Sequence, residues 1–140
     1  MANRKTYLFL MILLAVGSVI AGCGGGSTGG GSTGGGETLP AKYLSWEPPR
    51  TYTDSSPLNP AVDLDRIEIF VKENGNFSDN DNEMAALSAI DQGTGKVATT
   101  FNLANLTPFI SRGVAYHVSV RAVAKNGLKS EFSPSATFSF

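Results

Sequence analysis

Apolar and polar residues alternate along short stretches of the chain from position 43 onward. In LDRIEIFVK (residues 64–72), Ile67, Ile69 and Val71 fall on one face. The other face has Arg66, Glu68, Phe70 and Lys72. A period of two predicts a β-strand with one face directed at the core. The stretches YLSWE (43–47), VATTFNL (97–103), AYHVSVRAVA (115–124) and SATFSF (135–140) predict further strands. Pro48-Pro49 ends the first of them and Asn126-Gly127 marks a turn.

These strands, separated by turns and without a long helix, predict an all-β fold built as a small antiparallel sandwich. One stretch stays ambiguous. EMAALSAI (83–90) fits either a short helix that begins at Asn82 or a strand in the middle of the sheet, because eight residues are too few for periodicity to decide.

The N-terminus has a different pattern, typical of an export signal. Arg4 and Lys5 precede an apolar run from Tyr7 to Ile20, which is short for a membrane span, and small residues follow it. The sequence Ile20-Ala21-Gly22-Cys23 resembles the bacterial lipobox. That resemblance implies removal of residues 1–22 and acylation of Cys23, the one cysteine of the chain. A retained membrane anchor and ordinary secretion with a free thiol are the alternatives.

The resemblance also implies a location. Gly24, rather than Asp, after the cysteine is compatible with the outer membrane of a Gram-negative cell. In a Gram-positive cell the protein would sit on the outer face of the single membrane. Residues 23–36 then form a tether of Gly, Ser and Thr, a flexible coil with an end-to-end distance of about 20 Å. The domain occupies residues 37–140.

The domain itself resembles the fibronectin type III family of immunoglobulin-like sandwiches. YLSWEPP and YHVSVRAVAKNGLKSEFS contain the specific features, Trp46 and Tyr116 with their surrounding residues. The resemblance implies that the Tyr116 ring lies in the core while its hydroxyl bonds the backbone near the preceding turn. The interval from Leu106 and Pro108 to Tyr116 is longer than in the family.

Two departures from the family pattern follow. Residues 74–96 look like an insertion, and the first strand is short or missing. A short piece around residues 38–41 could replace that strand. The end of the tether, with Pro40, is expected to cover the edge of the Trp46 strand, and an uncovered edge would instead recruit another strand.

Composition and motifs exclude several functions. The formal net charge of −1 does not favour nucleic acid as a partner, and one cysteine permits no internal disulfide. His117 is the only histidine and is expected at the surface rather than as a catalytic base. We therefore expect no enzyme, no small-molecule substrate and no cofactor beyond the covalent lipid on Cys23. The carboxylates of Asp79, Asp81 and Glu83 could offer oxygens to Ca²⁺, but the EF-hand spacing fails, so a solvated loop without metal is expected.

The candidate binding residues lie in two loops that the family places at one end of the sandwich. They are Arg50, Tyr52 and Asp54 in one loop and Lys125, Asn126 and Lys129 in the other. Packing of Tyr52 on its own loop is the alternative. We expect a lipid-anchored, non-catalytic module that binds an envelope protein or a polysaccharide. The alternative function is a structural subunit that joins an envelope complex by β-strand addition at an open sheet edge.

Overall fold

The structure, a computed structural model, describes residues 15–17 and 39–140. The lipobox, Cys23 and the tether lie outside the described residues. The described residues contain seven strands: β1 (Ala15–Gly17), β2 (Tyr43–Ser45), β3 (Leu64–Lys72), β4 (Ala85–Ser88), β5 (Thr100–Asn102), β6 (Tyr116–Ala124) and β7 (Ala136–Phe138). A single helical turn, α1 (Pro60–Asp63), precedes β3, and a 3₁₀ turn, η1 (Leu103–Leu106), follows β5. No helix of the described residues is long and apolar enough to cross a membrane.

The strands form two antiparallel sheets, which confirms the all-β prediction. One sheet has the order β1-β2-β5 and the other has the order β4-β3-β6-β7. Their facing sides bury one apolar core, to which β2 contributes Leu44 and β3 contributes Ile67 and Ile69. The fold is therefore a β-sandwich, in which apolar side chains from two sheets pack against each other.

The centre of the larger sheet is the pairing of β3 with β6, which runs from Leu64 opposite Ala124 to Lys72 opposite His117. The predicted core face of β3 is confirmed, because Ile67, Ile69 and Val71 lie in the apolar core, together with Val118 and Val120 of β6. Trp46, just beyond β2, is also buried, and its indole N–H has no hydrogen-bond partner among the described residues. Trp46 therefore stabilises the sandwich through apolar packing.

The ambiguous stretch 83–90 contains a strand, β4, and not a helix. The strand lies at the edge of its sheet rather than in the middle, because it pairs with β3 alone. The Met84 N–H donates to the Ile69 carbonyl, and the Ala89 N–H donates to the Asp65 carbonyl. These bonds extend the pairing with β3 beyond both ends of β4. Hydrogen bonds to the backbone of β3 therefore determine the conformation of this stretch, which local periodicity does not predict.

The strand beside β2 comes from an unexpected part of the chain. Residues 39–42 do not form a strand, and Pro40 and Ala41 are exposed. The described part of the expected cover, with Pro40, therefore does not pair with the edge of β2, and the end of the tether lies outside the described residues. Ala15–Gly17, from the apolar N-terminal run, pairs there instead. Proline lacks the N–H that a ladder needs, whereas the N-terminal run can pair through its whole backbone.

The predicted position of Tyr116 is confirmed. Its ring is buried next to Phe138, with the ring centroids 5.8 Å apart. Its hydroxyl accepts a hydrogen bond from the Ser111 N–H at 3.0 Å. The tyrosine thus ties β6 to the segment before it in spite of the longer interval from Leu106.

Candidate functional site

The loop that follows Trp46 folds back on itself as a narrow hairpin. Thr51 pairs with Pro57, and the Leu58 N–H donates to the Arg50 carbonyl. At its tip, Asp54 Oδ1 accepts hydrogen bonds from the N–H and the hydroxyl of Ser56. These bonds hold the pKa of the Asp54 carboxyl below its usual value. Arg50 and Asp54 are therefore exposed side chains on a loop that its own hydrogen bonds fix.

Tyr52 is half-buried and packs against the core. Burial raises the pKa of its hydroxyl, and the negative charges of Asp63 and Asp54 raise it further. The hydroxyl therefore stays protonated and can donate a hydrogen bond. Tyr52 therefore packs on the core, while part of its side chain remains accessible to solvent.

The second predicted loop is the turn between β6 and β7. Gly127 has a φ of 83°, the left-handed conformation that glycine adopts readily, and its N–H donates to the Ala124 carbonyl. Asn126 Oδ1 accepts a hydrogen bond from the Leu128 N–H. The Lys125 N–H donates to the Asp63 carbonyl at 2.8 Å. That bond joins the turn to the end of the loop that contains Arg50, so both candidate loops lie at one end of the sandwich.

Lys129 differs from the other candidates because it points back towards the sheet. Its Nζ lies 3.5 Å from Glu68 Oε2. Glu68 is only 1% exposed and also accepts from Arg66 Nη2 at 2.7 Å and from Arg121 Nη2 at 3.1 Å. Burial opposes ionisation of Glu68, but the hydrogen bonds from the two arginines outweigh it and hold the pKa of this carboxyl below its usual value. Lys129 is thus part of a charged cluster as well as of the candidate loop.

This cluster lies on the outer face of the larger sheet, where Glu68 and Arg121 stand opposite each other on β3 and β6. The Arg121 guanidinium carbon lies 5.1 Å from the centre of the Phe70 ring and 4.7 Å from that of Phe132. Arg121 Nη1 also contacts Asp79 Oδ1 at 2.7 Å. A cation held against two rings and two carboxylates is well stabilised when desolvated. The outer face is therefore covered, although sequence alternation indicates only that these residues oppose the core.

Two serines hold the covering segment in place. Ser130 Oγ accepts a hydrogen bond from the Ala122 N–H at 2.9 Å, and Ser133 Oγ accepts one from the Val120 N–H at 3.0 Å. The two serines are three residues apart and bond β6 N–H groups that are two residues apart. Sequence reasoning missed this role, and the pattern Ser130-Glu131-Phe132-Ser133 is the signal from which it could have been found.

Two of the three candidate carboxylates in the acidic loop after β3 form ion pairs with basic side chains of the domain. Asp79 pairs with Arg121, and Asp81 Oδ1 lies 2.6 Å from Lys72 Nζ. The Lys72 ammonium and the Ser78 N–H hold the pKa of Asp81 below its usual value. Glu83 is exposed. Among the described residues, no three His, Cys, Asp or Glu side chains are grouped so that they could hold a metal ion.

His117 lies half-buried on the outer face of β6, under Gly75. A Cβ added at Gly75 would lie 2.9 Å from the imidazole ring, so glycine is required for this approach. Thr137 Oγ1 is 3.4 Å from His117 Nδ1. These contacts place the imidazole beside a threonine and a glycine, and the role that they indicate is packing.

An open groove of about 480 Å³ lies beside the hairpin that joins β4 to β5. Leu87, Ser88 and Thr100 contribute to its walls, as do Asp91 and Lys96 at the hairpin. Asp91 Oδ1 accepts from the Thr94 and Gly93 N–H groups, which lower the pKa of Asp91. Asp91 thus stabilises the conformation of the hairpin.

No protein-family model matches this chain, and no curated protein matches it. Among solved structures, the chain is similar to the pectate lyase PelI from Erwinia chrysanthemi, with 19% sequence identity and a TM-score of 0.48. The similarity covers 90% of this chain, which spans 26% of the length of the lyase chain. A likeness at this level assigns neither a fold family nor an activity.

Proposed function

We propose that this protein is a lipid-anchored component of the bacterial cell envelope and that its fibronectin type III-like domain is a non-catalytic binding module. The signal pattern that ends at Cys23 supports the anchor. The two antiparallel sheets, the buried Trp46 and the Tyr116 hydroxyl bonded to backbone support the family. In a Gram-negative cell the anchor lies in the outer membrane.

The observation that carries the binding role is the joining of two loops at one end of the sandwich. The hairpin with Arg50, Tyr52 and Asp54 meets the turn at Lys125 through the bond to Asp63. The chain enters the domain at the other end, where Lys42 Nζ bonds the Ser139 carbonyl next to the C-terminus. The tether and the candidate loops are therefore at opposite ends of the domain, so the anchor does not obstruct the loops.

The residue types favour a macromolecular partner. Arginine and tyrosine are frequent at the energetic centres of protein interfaces. Lys125 and Asn126 add exposed hydrogen-bond donors on the neighbouring turn. Such a surface suits another envelope protein or a polysaccharide chain better than an enclosed small molecule.

The test is a pull-down from intact cells after crosslinking, with the native lipidated protein. The variant Arg50→Ala with Tyr52→Ala is compared with Phe109→Ala with Lys96→Ala. The control pair removes an exposed aromatic residue and an exposed cation elsewhere on the domain. We expect a stoichiometric partner that is lost in the first variant and kept in the second. Capture that the loop variant leaves unchanged would contradict loop binding.

A second candidate function is assembly by β-strand addition, and one observation favours it. The edge of β2 is paired with a segment from the N-terminal run, outside the predicted mature domain. Assembly of this kind would survive the loop variant and fail with Tyr43→Pro, because proline lacks the N–H that Tyr43 directs towards this edge.

A further inference from the structure

The edge of β2 accepts a short apolar segment in a defined antiparallel register. Ala15 lies opposite Ser45, Val16 opposite Leu44 and Gly17 opposite Tyr43. Within residues 39–140, the strand partner of β2 is β5. β1 therefore occupies a position that no other described part of the chain fills.

Hydrogen-bond alternation shows which groups of β2 face this segment. The Trp46 N–H donates to the Thr99 carbonyl, and the Leu103 N–H donates to the Lys42 carbonyl. Even-numbered residues of this stretch, Leu44 included, thus direct their backbone groups towards β5. In an antiparallel strand the next residues face the opposite neighbour, so the backbone groups of Tyr43 and Ser45 face β1.

Processing at Cys23 would remove β1 from the protein. Because an unpaired strand edge is a template for another strand, that removal creates an acceptor. We propose that processing uncovers a strand-acceptor site on β2, which binds an extended apolar segment of a partner protein. This inference rests on the proposed lipoprotein processing and deepens the strand-addition candidate.

The chemistry of the bound segment can be inferred from the segment that occupies the site in the unprocessed chain. Ala-Val-Gly has small residues at the two positions that exchange backbone bonds and a β-branched residue between them. A small residue opposite Tyr43 does not crowd the Tyr43 side chain, which is 45% exposed. The site is short, since Pro48 and Pro49 follow β2 closely. Main-chain bonds thus supply affinity and the small–apolar–small pattern supplies selection.

The chain itself offers a poor substitute for this segment. Pro40 has no N–H to donate, and residues 39–42 already lead into β2 from its own end. Lys42 is held by bonds from its N–H to Asn102 Oδ1 and from its Nζ to the Ser139 carbonyl. These bonds fix the position of Lys42 at the start of β2.

The experiment measures amide hydrogen exchange, with residue resolution, in the processed protein reconstituted in nanodiscs. Its intact mass is first checked to begin at acylated Cys23. The probe is a synthetic peptide of residues 12–20, LLAVGSVIA, with lysines added at both ends for solubility. Two matched peptides are N-methylated, one at the Gly17 position and one at the Val16 position. The first loses an N–H that faces β2, whereas the second loses one that faces away from it.

Without peptide, we expect the Tyr43 amide to exchange at least about tenfold faster than the Leu44 amide, which is bonded towards β5. The unmodified peptide and the peptide methylated at Val16 should slow Tyr43 exchange, and the peptide methylated at Gly17 should not. A Tyr43 amide that is protected before any peptide is added would overturn the inference, whether a second copy or another part of the chain covers it. Equal effects of the two methylated peptides would overturn it too. A mass that includes residues 1–22 would instead contradict the proposed processing.

Discussion

The two sheets of the sandwich are completed in different ways. In the larger sheet, β3 has strand neighbours on both sides and is covered on its outer face by the cluster around Glu68 and Arg121. In the smaller sheet, β2 is three residues long and has β5 on one side and β1 on the other. One sheet is complete within residues 39–140, while the other is completed by residues that processing is expected to remove. Under the proposed processing, this difference leaves β2 with an edge that another strand can pair with.

The largest expected effect lies in the complete sheet. Glu68→Ala leaves the Arg121 guanidinium, 3% exposed, without its buried carboxylate. We expect the free energy of unfolding to fall by about 3–5 kcal/mol, as for other broken buried ion pairs. Urea unfolding followed by the fluorescence of Trp46, the single tryptophan, measures this loss.

The double variant Glu68→Leu with Arg121→Met is the control for this prediction. It replaces both charges by apolar side chains and should recover most of the loss, because no unpaired charge stays buried. A loss in the free energy of unfolding no larger than that of a substitution at an exposed position would contradict the burial of the Glu68–Arg121 pair on the outer face.

The next effect separates the two faces of β2. Leu44 is fully buried, so Leu44→Ala should lower the free energy of unfolding by about 2–5 kcal/mol. Tyr43→Ala, at the neighbouring exposed position, should change it by less than about 0.5 kcal/mol. The same unfolding assay compares the two variants. Equal losses would mean that β2 does not present one face to the core and the other to solvent.

Tyr116→Phe should produce a smaller loss. The ring stays buried, but the hydrogen bond from the Ser111 N–H to the hydroxyl is removed. We expect a loss of about 0.5–1.5 kcal/mol in urea unfolding. Tyr52→Phe is a matched control at a half-buried tyrosine in another loop, and it should lower the free energy of unfolding by less. A neutral Tyr116→Phe would show that the bond does not stabilise the longer connection before β6.

The smallest expected effect on the larger sheet is a loss of stability at acidic pH. The folded-state pKa of Glu68 is depressed, so its contribution to stability is present in full above the ordinary carboxyl pKa. That contribution is lost as the pH falls through the folded-state pKa. The thermal unfolding temperature of the wild type should fall on acidification. The unfolding temperature of Glu68→Gln should depend less steeply on pH. Identical pH profiles would remove Glu68 from the acid response.

Sequence alternation predicts the core faces of β3 and β6 well, because a buried sheet face imposes a period of two on residues such as Ile67 and Val118. It does not predict that Glu68 and Phe70 are buried, since their cover comes from segments distant in the chain, around Asp79 and Phe132. The two candidate loops are predicted by turn residues, but their junction at Asp63 depends on how the loops fold. The pairing of β1 with β2 is the feature that the sequence predicts least, because a pattern typical of an export signal gives no indication of strand pairing.

The most direct test of the account is the intact mass of the protein purified from the membranes of its own cells. We predict a chain that begins at Cys23 and contains the added mass of the acyl groups, with residues 1–22 absent. That result would establish the anchor and remove β1 from the mature sandwich. A chain that retains residues 1–22, or one with an unmodified Cys23 thiol, would contradict the lipid anchor.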